Sequence, residues 1–152
     1  MEFTQQVVVA VPPQRVWEFL WDIERLAACI PGARDARAIE VHKRYEVVVG
    51  ERVGPFKVTF PLQIDVLEAD APRRLRASAI GKDAGLSSSL KMMLDLTLTE
   101  GAAGGTVMDL HADVTVLGKL AVLGHSMIKR KADDVVTQFA ASLRTALAAM
   151  AS

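Results

Sequence analysis

Apolar and polar positions alternate along most of this chain, and the places where the alternation stops divide it into elements. Residues 2–11 put Phe3, Val7, Val9 and Val11 at odd positions and predict a strand, with Val8 the one departure. Pro12-Pro13 ends it, and Pro13 suits the first turn of a short helix carrying Val16, Trp17, Phe19 and Leu20. Asp22 is placed to cap a second short helix running through Leu26 to Cys29, which Pro31-Gly32 stops. From 33 to 117 the pattern predicts six antiparallel strands, at 33–41, 43–53, 56–67, 74–81, 86–100 and 106–117, separated by turn residues.

Tyr45, Val47 and Val49 share one face of their strand. Between 56 and 67, Phe56, Val58, Phe60, Leu62, Ile64 and Val66 alternate with polar neighbours, so one face is apolar and the other wet. Pro61, on the wet face, has no amide for a ladder and predicts an edge or a bulge. Residues 119–150 repeat Leu120, Leu123, Met127, Ile128, Val135, Phe139, Leu143, Leu147 and Met150 at steps of three and four, which predicts one helix roughly 48 Å long with Gly124 as its soft point. The layout is α+β: a seven-stranded antiparallel sheet curled around a long C-terminal helix, with two short helices after the first strand. No linker or repeat divides the chain, so 1–152 is expected to be one domain.

Composition narrows the function. Eighteen basic and eighteen acidic residues balance, which removes the electrostatic basis for nucleic-acid binding. One cysteine, Cys29, cannot form an internal disulfide and, with no leader-like segment before the first strand, predicts a reducing, cytoplasmic setting. No apolar run reaches the length of a membrane-spanning helix. The chain has 22 alanines and only eight aromatic residues, one Tyr, two Trp and five Phe, so small side chains over a curved sheet leave room. Met92, Met108 and Met127 would then either line an adaptable apolar pocket or simply fill the core.

Candidate reactive groups are sparse. Cys29 sits at a helix end rather than at a helix N-terminus, so a packed structural thiol is expected. Asp109, His111 and Asp113 share one strand face, but with no second ligand cluster they read as a solvated surface. His42 and His125 are isolated. No catalytic residue and no metal ligand set can be assembled. The segment from Leu117 to Lys131 joins Leu117, Leu120, Leu123, Met127 and Ile128 to Lys119, His125, Lys129, Arg130 and Lys131, a locally basic amphipathic start that suits either an anionic lipid surface or an ordinary helix covering the sheet.

Met1 to Thr4, Pro12 to Trp17, Cys29-Ile30-Pro31-Gly32-Ala33, Val53 to Val58, Ala71 to Arg76 and Val116 to Gly124 stand in an order and spacing that resembles the G-subunit accessory proteins of aerobic molybdenum carbon monoxide dehydrogenase. The resemblance covers essentially the whole chain. It implies a START-like (SRPBCC) helix-grip fold and a non-catalytic accessory role beside a molybdenum hydroxylase. It also implies an internal site for a hydrophobic molecule, with an isoprenoid quinone such as menaquinone as the natural candidate, and peripheral contact with the inner face of the cytoplasmic membrane. No cofactor of its own is implied. Members carry a glycine-rich stretch where this chain reads Gly81 to Ser89, and a second cysteine where it has Ala33, which excludes a paired-thiol role.

The cavity expected on this basis is lined from the sheet by Tyr45, Val47, Phe56, Val58, Phe60, Leu62, Met92, Leu94, Met108 and Leu110. The C-terminal segment adds Leu120, Met127, Ile128 and Phe139, and Trp21 stands near a rim. Lys119, Leu123, Lys129, Arg130 and Lys131 are the expected membrane contacts, and the mouth is expected between this segment and the loops at Gly54-Pro55 and Gly81 to Ser87. Two other readings are a cyclase or aromatase-like enzyme, for which the inner faces offer only Tyr45 and Ser78 or Thr106 as polar groups, and a pure assembly or tethering factor with no ligand.

Overall fold

The computed structural model describes residues 1–83, 85 and 87–150. The elements are β1 (Glu2–Val9), α1 (Pro13–Leu20), α2 (Ile23–Ala27), β2 (Ala33–Glu40), β3 (Arg44–Val53), β4 (Phe56–Asp70), β5 (Arg74–Asp83), β6 (Ser88–Glu100), β7 (Thr106–Gly118) and α3 (His125–Met150), with short 3-10 segments at Ala102–Gly104 and Lys119–Leu123. The strands form one antiparallel sheet in the order β1-β7-β6-β5-β4-β3-β2, so β2 to β7 follow one another in space, β1 pairs with β7, and β1 and β2 are the two edges. This is the α+β layout the patterning predicts and the helix-grip fold the resemblance implies. Pro13 occupies the first turn of α1, and the Asp22 carboxylate caps α2 by accepting from the Arg25 amide at 3.3 Å. The strand expected from residue 86 begins at Ser88 among the described residues, and Leu86 lies outside them.

Pro61 corrects one expectation. Its strand is interior, between β3 and β5, and its bulge lies elsewhere, at Val66/Glu68. Proline is tolerated because the ladder to β5 begins only at Leu62↔Gly81, while Pro61 pairs with Val48 of β3 on the other side. Alternate amides of a strand point the same way, so the amide of Thr59 points where that of residue 61 would. Thr59 donates to the Asp83 carboxylate at 2.7 Å, a side chain standing in for the missing ladder.

The predicted single helix over 119–150 is also corrected. Lys119–Leu123 forms a 3-10 turn bracketed by Gly118 (φ 90, ψ −153) and Gly124 (φ 89, ψ 156), and α3 begins only at His125. Both conformations are strained for residues with a Cβ, which is why glycine stands where the chain changes direction. The stretch from Leu117 to Lys131 is therefore a strand end, a 3-10 turn and a helix start, not one amphipathic helix.

All helices lie on one face of the sheet, and their burial separates into three clusters rather than one. Val16, Trp17, Phe19 and Leu20 of α1 pack with Leu143 and Leu147 of α3 and with Val7, Leu98 and Met108. Val47, Val53, Val58, Phe60 and Leu62 pack with Ala27 and Leu120. Phe3, Ala112 and Val114 form the third, against Ala132 and Val136 of α3. Among the strands, α3 approaches β1 most closely.

Candidate ligand-binding groove

Between these clusters the helix-covered face of the sheet is only half covered. At its centre β5 contributes Ala77, Ala79 and Gly81, flanked in register by Val66 and Leu94, by Ile64 and Met92, and by Leu62 and Leu90. Ile64, Val66, Met92 and Leu94 stay partly exposed although they are apolar and lie beneath a helix, and Val135, Val136 and Phe139 of α3 are partly exposed as well. A strand of small residues between rows of larger, partly exposed side chains leaves a depression along this face. Gly81 cannot carry a side chain there, since a Cβ would meet the Pro61 carbonyl oxygen at 2.6 Å and Leu62 Cδ2 at 2.7 Å.

One end of this strip gathers three separate segments. Gly54, at the β3–β4 turn with φ +58, lies so close to α3 that a Cβ would meet Met127 Sδ at 2.9 Å and Leu123 Cδ1 at 3.6 Å. The Leu120 amide donates to the Ser88 hydroxyl at 2.8 Å, joining the 3-10 turn to the start of β6. The three segments expected at a mouth are thus together, with Ala84 and Leu86 of the rim loop outside the described residues. Val122, Leu117 and Met127 are exposed here, Val122 at 81%. Lys119 and Arg130 are exposed too, and Leu123 packs on the second cluster. Lys129 Nζ sits 4.8 Å from the Phe3 ring centroid and 3.5 Å from Asp133, and Lys131 Nζ lies 2.6 Å from Glu51. Two of the four expected membrane cations therefore turn to partners within the protein.

The other end carries an aromatic group. Trp21 is half-buried, 5.6 Å from Trp17 and 4.5 Å from His42 by ring centroids and stacked at 6.3 Å on Tyr45. The Tyr45 hydroxyl accepts from the His42 amide at 2.8 Å. Of the remaining expected lining, Val47, Phe56, Val58, Phe60, Leu62, Met92, Leu94, Leu120 and Ile128 lie on the inner side, whereas Met108 and Leu110 sit in the solid cluster under Leu143 and Leu147. Hollows also lie away from the strip, among them one of about 590 Å³ beside Arg37, Glu46 and Pro61. Another of about 910 Å³ runs between α1–α2 and the C-terminal half of α3, and one of about 460 Å³ on the outer face is lined by Arg74, Asp95, Asp109 and His111.

Cys29 is buried, its thiol 3.6 Å from the Arg25 carbonyl oxygen, and burial pushes the thiol pKa up. That is the setting of a packed thiol, not of a nucleophile. Asp109 pairs with Gln6 and Asp113 with the N-terminal amine, and no metal-ligating cluster occurs among the described residues. Ser78, expected on the inner face, is on the outer one, paired with Asp65 and Met93. Thr106 faces inward, but its hydroxyl donates to the Val11 carbonyl at 2.6 Å. Two charged inner-face residues escaped the reading of the sequence: Glu51, two positions beyond Val49 on β3, and Asp83, two beyond Gly81 on β5. The signal was present as charge at an apolar position of the alternation.

The family profile described as the carbon monoxide dehydrogenase G subunit (CoxG) matches residues 6–148. The chain belongs to that family. No curated protein matches it. Among solved structures, a conserved protein from Geobacillus kaustophilus is similar with a TM-score of 0.85 at 18% identity, covering 97% of this chain and 95% of that one. A START superfamily protein from Mycobacterium smegmatis gives a TM-score of 0.72 at 12% identity over 98% of both chains. An aromatase/cyclase from a Streptomyces species gives 0.69 at 18% identity, covering 99% and 93%. At these identities the likeness is one of fold. As a member of the CoxG family the protein has a non-catalytic, accessory role. Among the described residues no helix is long and apolar enough to cross a membrane.

Proposed function

We propose that this chain is a single START-like domain serving a molybdenum hydroxylase of the carbon monoxide dehydrogenase type. In this reading it carries an isoprenoid quinone such as menaquinone in the groove over Ala77 and Ala79 and meets the membrane at the Gly54, Val122 and Met127 end. The observation that supports this best is the set of apolar side chains left partly exposed on the helix-covered face of the sheet, Ile64, Val66, Met92 and Leu94. Water in such a strip is displaced favourably by an apolar tail. Moving that tail from a bilayer into the groove is close to neutral, so head-group contacts and docking on the partner set the direction of transfer.

Trp21 stands close enough to Tyr45 and the groove's far end to report binding. Titration with menaquinone should quench its fluorescence saturably at one equivalent, and a linear, non-saturating response would refute the carrier reading. Flotation with anionic vesicles tests the membrane end. Wild type should float, and Lys119→Glu with Arg130→Glu, which changes the exposed cations only, should reduce flotation as added salt does. Wild type that stays at the bottom of the gradient would remove the membrane from the proposal.

A further inference from the structure

Two charged side chains meet at the Gly54 end of the groove. Glu51 continues the inner row of β3 after Tyr45, Val47 and Val49, opposite Val58, and Lys131 Nζ of α3 lies 2.6 Å from its carboxylate. Only 24% of the Glu51 side chain and 31% of the Lys131 side chain is exposed. Because α3 lies nearest β1, the pair bridges the wider gap between α3 and β3 at this end. The Glu51 end is held by the Pro31-Gly32 turn. The Gly50 amide donates to the Gly32 carbonyl at 2.9 Å, and a Cβ on Gly32 would come within 3.3 Å of Glu51 Oε2.

A half-covered ion pair adds little to stability, and apolar side chains at the same positions would hold helix to sheet at least as well. Other inner-face polar groups engage the backbone: Asp83 accepts from Thr59, Ser88 from Leu120, Tyr45 from His42, and Thr106 donates to Val11. Lys131 differs because its partner is a side chain that can swing to water, so its ammonium can exchange one acceptor oxygen for another.

We propose that Lys131 is the head-group contact of the groove. An amphiphile whose tail lies along Ala77 and Ala79 brings a carbonyl or carboxylate oxygen to the Lys131 ammonium and displaces Glu51. The pair thus closes the empty groove and yields to a ligand bearing an acceptor oxygen. The inference rests on the carrier function above and supplies its polar contact. A quinone carbonyl and a fatty-acid carboxylate share this chemistry.

The test measures binding of menaquinone, palmitate and the hydrocarbon squalene, which has no acceptor oxygen, to wild type, Lys131→Met, Lys131→Arg and Glu51→Gln. Lys131→Met should weaken menaquinone, palmitate or both by about tenfold or more, the loss of one charge-assisted hydrogen bond. Squalene should be unaffected, Lys131→Arg should retain most of the affinity, and Glu51→Gln, with a weaker competitor, should bind the same ligand more tightly. Loss for menaquinone alone assigns the site to a quinone, and loss for palmitate alone to a fatty acid. Unchanged affinities in Lys131→Met, or an equal loss for squalene, would overturn the inference while leaving the carrier function standing. If wild type binds none of the three, squalene included, the carrier function fails and the inference with it. Should Lys131→Met not fold, Glu51→Gln decides, and affinity that is unchanged or weaker would overturn the inference.

Discussion

Ser88 and Leu120 are both about 2% exposed, and the Leu120 amide donates to the Ser88 hydroxyl at 2.8 Å. The bond fixes the 3-10 turn between β7 and α3 to the first residue of β6, and so sets where α3 starts over the sheet. Ser88→Ala leaves a buried amide short of this partner and should cost about 1–3 kcal/mol in denaturant unfolding. A change within error would mean that the turn is held by its glycines alone.

Gly32 and Gly124 both have positive φ but differ in surroundings. Gly124, at φ 89 and ψ 156, has nothing within 4 Å of a built Cβ, so Gly124→Ala should cost only the backbone term, about 1–3 kcal/mol. Gly32, at φ 76, would in addition drive a Cβ into the Gly50 carbonyl oxygen. Gly32→Ala should therefore be the more destabilising of the two by chemical denaturation, and the reverse order would contradict the geometry of the Pro31-Gly32 turn.

An alanine in a filled core does not accept three more carbons. Ala79 lies between Ile64 and Met92, both half-exposed. Overpacking a tight core costs about 1–3 kcal/mol, whereas filling a vacant recess costs little. Ala79→Leu should leave the melting temperature within a degree or two (a shift of roughly 2–4 °C accompanies each 1 kcal/mol at this chain length) and weaken ligand binding. A large loss of stability would show the recess to be filled already.

Burial raises the Cys29 thiol pKa and holds the group away from solvent. Native protein at about pH 8 should therefore react with a thiol reagent at least tenfold more slowly than protein in denaturant, because the thiolate is the nucleophile. Equal rates would argue for a reactive site after all.

Arg74 donates to Asp95 at 2.9 Å and 3.3 Å, and these hydrogen bonds hold the Asp95 carboxyl below the usual aspartate range. A folded-state value below the unfolded value contributes stability that is present above about pH 3.9 and is lost as pH falls through the folded value. Arg74→Met should thus be less stable than wild type at about pH 6, with the gap closing as pH falls through the folded Asp95 value. The check is urea unfolding at several pH values, and a gap that does not depend on pH would contradict the assignment. The same sign holds for Asp65, lowered first by its hydrogen bond to Arg44.

Strand patterning was legible because burial on one face of a sheet imposes period two, as Phe56 to Val66 shows, and Pro13 and Asp22 marked helix starts through chemistry local to them. The break at Gly124 was not, because Leu120, Leu123, Met127 and Ile128 keep helical spacing across it and hydrophobicity carries no record of φ. Glu51 and Lys131 could each be seen in the sequence, but their meeting depends on how α3 is set over β3, which no local pattern encodes. The outward turn of Ser78 follows from the β4–β5 register in the same way.

The most direct measurement is organic extraction of the freshly purified protein followed by mass spectrometry, beside an unrelated protein from the same host. A stoichiometric isoprenoid quinone in the extract is the predicted result. An empty extract, with no binding of added menaquinone, would contradict the carrier function and leave a tethering or assembly role.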